Sequence, residues 1–303
     1  MSQFFFPKKA VVSLLFGPDS QRFLQARITQ DIVSLSKNAW INAAAVTAQG
    51  KLQVMPLIIK KAEDEFLLLH EGLEFDELSP VILQFKVADR VDYTQVEDFS
   101  ILHVAGNTLR EVLDIKDQPL DGQRVMEAGA CLYRFHDRGF GEGVDVIGPR
   151  DELRSIGERL KASGFEEPDM RAQFLARIRK GVLAFEDGLA GMFLPEAQLP
   201  QILSSTKGCY VGQEAIEMSL ARGSLPAELY RFFFSAEQAL SNDANFDVQG
   251  EQIPRISILA SEFDEATKTV WGFCRVGKPE RLSHCDVLFA ENPVHFERFE
   301  ALL

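Results

Sequence analysis

The most reactive side chain in the sequence is expected within the octapeptide Lys-Gly-Cys-Tyr-Val-Gly-Gln-Glu, residues 207–214. Lys207 lies two residues before Cys209, and a nearby positive charge favours a thiolate over a thiol. A helical pattern opens at Gln213, and the positive field of a helix N-terminus acts in the same direction. The octapeptide therefore predicts a reactive cysteine. Composition and spacing alone also allow, and even favour, a small buried Cys209 that only fills space.

Two glycines flank the cysteine on this segment. Gly208 and Gly212 let the backbone turn sharply on both sides of Cys209, because glycine adopts conformations that other residues avoid. We therefore expect the two glycines to shape a loop that presents the thiol.

The other residues that commonly do chemistry show no recognisable spacing. No two of the four cysteines form a C-x-x-C pair, and the five histidines lack metal-ligand spacing, so no metal site is predicted. No nucleophile elbow, phosphate-binding loop or dinucleotide fingerprint is present. The cysteines are Cys131, Cys209, Cys274 and Cys285, and the histidines are His70, His103, His136, His284 and His295.

The overall charge restricts the possible partners. The 303 residues include 32 Lys and Arg against 45 Asp and Glu, which gives a formal net charge of -13. Such a field repels phosphate backbones, so direct nucleic-acid binding is not expected. No apolar stretch reaches the length of a membrane span, and the short apolar N-terminus does not have the pattern of a signal peptide. The sequence therefore predicts a cytoplasmic protein that does not bind membranes.

The periodicity of apolar residues predicts an α+β protein. Up to about residue 226, short strands come in pairs that are separated by single helices, which favours split β-α-β sheets over a doubly wound parallel sheet. Asp19 is expected to cap the first helix. From about residue 228 onward the pattern is of strands punctuated by Gly, Asn and Pro, which indicates a small all-β domain.

Several segments in a fixed order carry a family resemblance. The octapeptide 207–214 resembles the signature Lys-Gly-Cys-Tyr-x-Gly-Gln-Glu of the YgfZ family, relatives of the glycine-cleavage T-protein. Further segments, between about residues 12 and 223, resemble other elements of the family: Phe23-Leu24-Gln25-Ala26-Arg27-Ile28-Thr29-Gln30-Asp31, Gln49-Gly50-Lys51, Arg177-Ile178 with Gly181, Pro195-Glu196 and Arg222-Gly223.

The resemblance implies two ferredoxin-like split β-α-β units and a small C-terminal β-barrel, arranged as a ring around a central channel. It predicts a first domain from residues 1–48 with 123–200, a second from 49–122, a signature segment 201–226 and the barrel from 227–303. It also implies that tetrahydrofolate or a derivative binds in the channel. Iron–sulfur client or assembly proteins, including enzymes that thiolate transfer RNA, are the partners that it implies.

The resemblance also assigns roles to individual residues. Cys209 becomes the working thiol, as a nucleophile or transient ligand, with Lys207 favouring its thiolate. The residues that it places around the folate are Tyr210, Gln213, Glu214, Arg179, Gln49, Lys51 and Asp31.

The sequence departs from the family pattern at two of its segments. Arg179 stands where relatives commonly have a glutamate, and a guanidinium donates hydrogen bonds but accepts none, so it cannot accept the paired N–H groups of a pterin. Met218 replaces an arginine. Two alternatives therefore stay open beside the accessory factor for iron–sulfur maturation: a folate-dependent aminomethyltransferase, and a diverged scaffold without chemistry.

Overall fold

The computed structural model describes residues 3–115, 123–241, 244–250 and 253–298. Along these residues the strands are β1 (Phe4–Lys8), β2 (Ala10–Phe16), β3 (Trp40–Asn42), β4 (Ala45–Val46), β5 (Leu52–Val54), β6 (Leu57–Ala62), β7 (Glu65–Glu71), β8 (Asp92–Gln95), β9 (Phe99–Ala105), β10 (Met126–Ala128), β11 (Cys131–Phe135), β12 (Gly143–Pro149), β13 (Ala227–Ser235), β14 (Asp247–Gln249), β15 (Arg255–Asp264), β16 (Thr269–Gly277), β17 (Asp286–Phe289), β18 (Asn292–Pro293) and β19 (His295–Glu297).

The helices lie mainly before β13. They are α1 (Ser20–Arg27), α2 (Phe75–Ile82), α3 (Leu109–Val112), α4 (Arg150–Ala162), α5 (Met170–Lys180) and α6 (Gln213–Arg222), with short 3₁₀ turns at Phe185–Asp187, Leu194–Ala197, Pro200–Ile202 and Pro279–His284. Within the described residues, no helix has the length and apolar character needed to cross a membrane.

Two five-stranded antiparallel sheets form the first two thirds of the chain. One has the order β3-β6-β7-β2-β8, and the other has the order β1-β9-β12-β11-β10. Their facing surfaces share an apolar cluster that includes Val12, Leu67, Ile101 and Ile147. Separate clusters join the first sheet to α1 and α2, and the second sheet to α3 and α4. The two sheets therefore pack face to face, with helices on the outer surfaces.

The sheets group the chain differently from the predicted domain ranges. The boundary predicted at 48/49 separates β3 from β6, but these strands pair with Trp40 opposite Ile59. The N-terminal strand β1 belongs with β9, which in turn pairs with β12. Strand order along the chain does not reveal these pairings, because they bring together segments that are far apart in sequence.

The C-terminal part is all β, as its pattern predicts. Its strands form one sheet of order β15-β16-β13-β19 and another of order β14-β17-β18, which share an apolar core around Phe232 and Phe234. The coarse α+β prediction is therefore confirmed. The ferredoxin-like units, the closed barrel and the ring stay predictions.

The start of α1 differs in detail from the expected cap. Asp19 occupies the N-cap position but makes no side-chain bond to the helix. Its carboxylate instead accepts hydrogen bonds from the backbone amide of Arg90, at 2.9 Å, and from the Arg90 guanidinium, at 3.0 Å. A charged guanidinium competes well for a carboxylate, since charge-assisted hydrogen bonds are stronger than neutral ones.

Candidate functional site

The octapeptide belongs to a segment that we call the signature loop, residues 203–212, which leads directly into α6. The backbone of the loop is attached to the C-terminal end of α1 and the residues after it. The amide of Ser204 donates to the carbonyl of Thr29 at 3.0 Å, and the amide of Val211 donates to the carbonyl of Ala26 at 3.3 Å. The loop therefore lies against the segment that the sequence resemblance also singled out.

The buried side chain of Lys207 attaches the signature loop to the end of α1. Its ammonium donates to the backbone carbonyls of Gln25, Ile28 and Gln30, three acceptors that use all three of its N–H groups. It also lies 4.9 Å from the centre of the Tyr210 ring. Burial lowers the pKa of Lys207 to about 8, and the charge of Asp31 opposes this shift.

The structure gives Lys207 a structural role beside the predicted one, and its effect on the Cys209 thiolate stays a prediction. Its N–H groups are all engaged by backbone oxygens, so it has none left to donate to a Cys209 thiolate. Lys207 is a positioning residue: it satisfies carbonyls at the end of α1 and ties the signature loop to them. Sequence spacing cannot show this, because two residues of separation in a loop do not fix the direction of either side chain.

Cys209 is exposed. Cys131 and Cys274 are buried, and Cys285 is partly buried. Burial raises the pKa of both Cys131 and Cys274, which makes these thiols poor nucleophiles. The exposure of Cys209 excludes the alternative that it is a buried filler, and it leaves the thiol accessible to a partner.

The rates at which a thiol reagent labels the cysteines should follow their exposure. We expect iodoacetamide to modify Cys209 of the folded protein first, and Cys274 only after unfolding, because a reagent must reach the sulfur before it can react. Peptide mass spectrometry against time would measure both rates. Equal rates for Cys209 and Cys274 in the folded protein would contradict the structure.

Gly212 fixes the end of the signature loop. Its φ of +83° is in the left-handed region, and a Cβ there would lie 2.4 Å from the Thr47 carbonyl oxygen. Gly208 lacks both constraints, since it has no positive φ and an added Cβ would meet no atom within 4 Å. Of the two glycines that the sequence marks as shaping the loop, the structure requires glycine only at Gly212.

Gly212 packs against the turn around Gly50. Gly50 also has a positive φ, and a Cβ there would lie 2.7 Å from the Phe193 ring. Gln49 and Lys51 flank this turn and are exposed. Their backbone amides donate to the Thr47 hydroxyl at 3.2 and 3.3 Å. The Gln-Gly-Lys turn and the signature loop are thus direct neighbours.

The remaining polar residues of the octapeptide act within the loop and α6. The Gln213 side chain accepts from the Tyr210 amide at 3.4 Å and donates to Glu217 at 2.7 Å. Glu214 is exposed on the first turn of α6. Burial, with the charge of Glu217, raises the pKa of Tyr210 to about 12.

Recesses lie on both sides of the loop. The Tyr210 ring lines an outer groove of about 640 Å³, together with Leu203, Ile216 and Leu220. Asp31 lines a more polar recess with Ser204 and Thr206. The Asp31 carboxylate accepts from Gln25 at 3.0 Å and from the Val33 amide at 3.0 Å, so it also stabilises the chain after α1.

A separate cavity lies between the two large sheets and the segment after α5, and we call it the central cavity. It encloses about 80 Å³ and its polar lining includes Asn42, Glu71, Arg134, His136, Arg138, Asp145 and Arg177. None of the residues that the sequence predicts around a folate is among those that line it.

Buried ion pairs occupy the walls of the central cavity. Asp145 is 1% exposed and accepts from Arg134 at 3.0 Å, from Arg138 at 2.9 Å and from His103 Nδ1 at 2.9 Å. Arg138 also donates to Glu71 at 2.6 Å, and Lys8 lies 3.1 Å from the same carboxylate. These contacts form one network that spans both sheets.

The charges in this network determine one another's protonation. Burial alone would raise the pKa of Glu71, but Arg138 and Lys8 outweigh it and lower the pKa to about 2. In the same way, Arg138 and Arg134 outweigh burial and hold the pKa of Asp145 well below its usual range. Burial lowers the pKa of His103, and burial with the charge of Arg134 lowers that of His136. Both carboxylates are therefore ionised at neutral pH, and both imidazoles are neutral.

The central cavity does not fit the tetrahydrofolate that the resemblance implies. Pockets for ligands of about this size enclose roughly 300–1,000 Å³, several times the volume of about 80 Å³ found here. Arg179, at the position of the expected glutamate, is ion-paired to Asp264 of β15 and does not line the cavity. Both carboxylates of the lining, Glu71 and Asp145, already pair with arginines.

Sequence reasoning missed this network, although a signal was present. Asp145 interrupts an otherwise apolar strand, Gly143–Pro149, and Arg134 stands inside Cys131–Phe135. A charge in the middle of a buried strand requires a partner, because an unpaired buried charge is costly. Asp145 pairs with His103, and the two residues are opposite each other on β12 and β9.

The comparisons with known proteins agree with the architecture. The glycine-cleavage aminomethyltransferase T of Bartonella henselae superposes with a TM-score of 0.84 over 99% of this chain and 86% of that one, at 14% identity. The "tRNA-modifying protein YgfZ" of Pectobacterium carotovorum is 24% identical over 270 residues, 86% of this chain and 79% of the relative. The YgfZ of Photobacterium profundum is 26% identical over 236 residues, 74% of this chain and 70% of the relative. No family model matches the chain.

The fold thus defines the class: an α+β protein with the architecture of the glycine-cleavage aminomethyltransferases. On this architecture a lysine-anchored loop presents an exposed cysteine. Sequence similarity over most of the chain, together with this fold, supports the resemblance to the YgfZ family.

Proposed function

We propose that the protein is a cytoplasmic accessory factor that supports the maturation of iron–sulfur enzymes, including enzymes that thiolate transfer RNA, and that Cys209 is its working thiol. The observation that carries the proposal is the presentation of Cys209. It is an exposed thiol on a loop that buried contacts hold in place. The curated relatives are named as tRNA-modifying proteins, which supports a client of this kind.

The construction of the site favours contact with another macromolecule. An exposed thiol on a surface loop can reach a cluster or a side chain on a client protein, whereas a small substrate is normally enclosed in a pocket. The outer groove beside Tyr210 and α6 offers apolar surface along the signature loop that carries the thiol. The net charge of -13 disfavours direct contact with transfer RNA, so the link to RNA would pass through the client enzyme.

The aminomethyltransferase alternative receives less support. That reaction requires a bound folate and an acid that orients the amine. The central cavity is too small for the folate, and its two carboxylates are paired with arginines. We therefore assign tetrahydrofolate no place in the central cavity, and no step to Arg179.

A complementation experiment tests the proposal. In a bacterial host that lacks its own YgfZ, we expect the wild-type chain to restore thiolated nucleosides in transfer RNA, measured by mass spectrometry of digested RNA. Cys209→Ser should reduce this restoration by at least about tenfold, because the hydroxyl is a much weaker metal ligand and nucleophile than a thiolate.

The matched control is Cys285→Ser, which changes a partly buried cysteine outside the signature loop. It should restore the nucleosides as well as the wild type does. Full activity of Cys209→Ser at equal protein levels would sink the assignment of Cys209. Failure of the wild type itself in this host would count against the proposed client class.

A further inference from the structure

The ion pairs around the central cavity carry more positive than negative groups. Among the described residues, the hydrogen-bonded network contains three cations, Lys8, Arg134 and Arg138, and two carboxylates, Glu71 and Asp145. Arg177 adds no net charge, because its guanidinium makes two bonds to Asp187, at 2.7 and 3.0 Å. A buried cation without a compensating anion is unfavourable, so the network favours one additional negative charge.

An unused hydrogen-bond donor lies at the same place. Arg134 is 3% exposed and lines the cavity, and its Nε has no hydrogen-bond partner among the residues that the structure describes. Buried donors without partners are rare in folded proteins, and each calls for an explanation such as a bound ion. The ring of Trp40 lies against the Arg134 guanidinium, 4.6 Å from its carbon, which fixes the plane of the group.

The volume of the cavity limits what the missing anion can be. One water molecule needs roughly 10–15 Å³ of a cavity measured in this way, so about 80 Å³ has room for a small polyatomic group. Planar oxyanions suit a guanidinium best, because they accept two parallel N–H bonds.

We propose that the central cavity binds a small planar oxyanion, a free carboxylate of one or two carbons or bicarbonate, between Arg134 and the amide of Asn42. The anion neutralises the excess charge of the network and accepts the unused guanidinium N–H. This inference does not depend on the role proposed for Cys209.

The test uses the intact chain and sodium formate. Thermal unfolding is followed at constant ionic strength, with sodium gluconate, an anion too large for the cavity, replacing formate. We expect formate to raise Tm by about 2–4 °C at saturation relative to gluconate, because a ligand that binds only the folded state stabilises it. Equal Tm values in the two salts would overturn the proposal.

Two neighbouring lysines supply a matched pair of variants. Lys8→Met removes the excess charge and leaves Glu71 bonded to Arg138, so it should reduce the formate-induced rise in Tm to below about 1 °C. Lys9→Met removes an exposed charge that pairs at the surface with Glu74, and it should keep the full rise. An undiminished rise in Lys8→Met would show a general salt effect and overturn the proposal.

A competition experiment separates a free anion from the carboxylate of a larger ligand. ¹³C-formate bound to the wild-type protein is followed by NMR line width while a reduced folate is added. We expect micromolar folate to leave the bound formate in place. Displacement at that concentration would show that the cavity opens for a larger molecule, and the free-anion assignment would be wrong.

Discussion

Replacing Gly212 with alanine is expected to lower the free energy of unfolding by about 2–5 kcal/mol. A side chain in the left-handed region costs about 1–2 kcal/mol, and overpacking adds about 1–3 kcal/mol. Both apply here, since Gly212 has a φ of +83° and the new Cβ would lie 2.4 Å from the Thr47 carbonyl oxygen. Urea unfolding followed by circular dichroism would measure the loss.

The control for this change lies in the same loop. Gly208→Ala places a Cβ where no atom lies within 4 Å, and it should change the free energy of unfolding by no more than about 0.5 kcal/mol. Comparing Gly212→Ala with Gly208→Ala shows whether stability depends on the contact between Gly212 and the Gln-Gly-Lys turn or on any glycine beside Cys209. Equal losses for the two variants would contradict the distinction that the structure draws.

The second large effect is expected at the centre of the buried network. Asp145→Asn removes the carboxylate that accepts from Arg134, Arg138 and His103, and we expect it to cost about 3–5 kcal/mol of unfolding free energy. The reason is that both guanidinium groups stay buried after their shared anion is lost. Asp151→Asn, at a side chain that is 90% exposed and pairs with Arg154 at the surface, is the control and should cost about 1 kcal/mol or less.

The effect of Asp145→Asn should depend on pH in a defined direction. Arg138 and Arg134 hold the pKa of the folded-state carboxyl well below its usual range. A lowered folded pKa stabilises the protein fully above the unfolded value of about 3.9, and this stabilisation is lost as the pH falls below it. The difference between wild type and Asp145→Asn should therefore stay constant from pH 5 to 8 and shrink below about pH 4. A difference that grows toward low pH would contradict the assigned charge states.

Parts of the fold could be predicted because they depend on local pattern. Apolar spacing predicts helices over residues 149–163 and 170–180, close to the observed α4 and α5, and the strand-rich pattern after residue 228 predicts the all-β C-terminal part. The grouping of strands into sheets could not be predicted in this way. The strand β1 pairs with β9, about a hundred residues further along the chain, and no local pattern encodes such a pairing.

In the candidate site, too, some properties can be predicted from the local sequence and others depend on packing. The octapeptide alone identifies Cys209 and the two glycines as a unit, and its order carries the resemblance to the YgfZ family. The exposure of Cys209 and the need for glycine at Gly212 depend on what other segments place beside them. These two properties are therefore decided by packing.

Lys207 and Arg179 show most clearly what the sequence by itself determined. It determined that a lysine stands beside the cysteine and that an arginine stands where a glutamate is expected. The tertiary structure decided that Lys207 binds three carbonyls at the end of α1 and that Arg179 pairs with Asp264. It also decided that Glu71, Arg138 and Asp145, from three separate strands and loops, close the central cavity. The physical reason is that charge and hydrogen-bond capacity belong to the residue, whereas their partners are chosen by long-range packing.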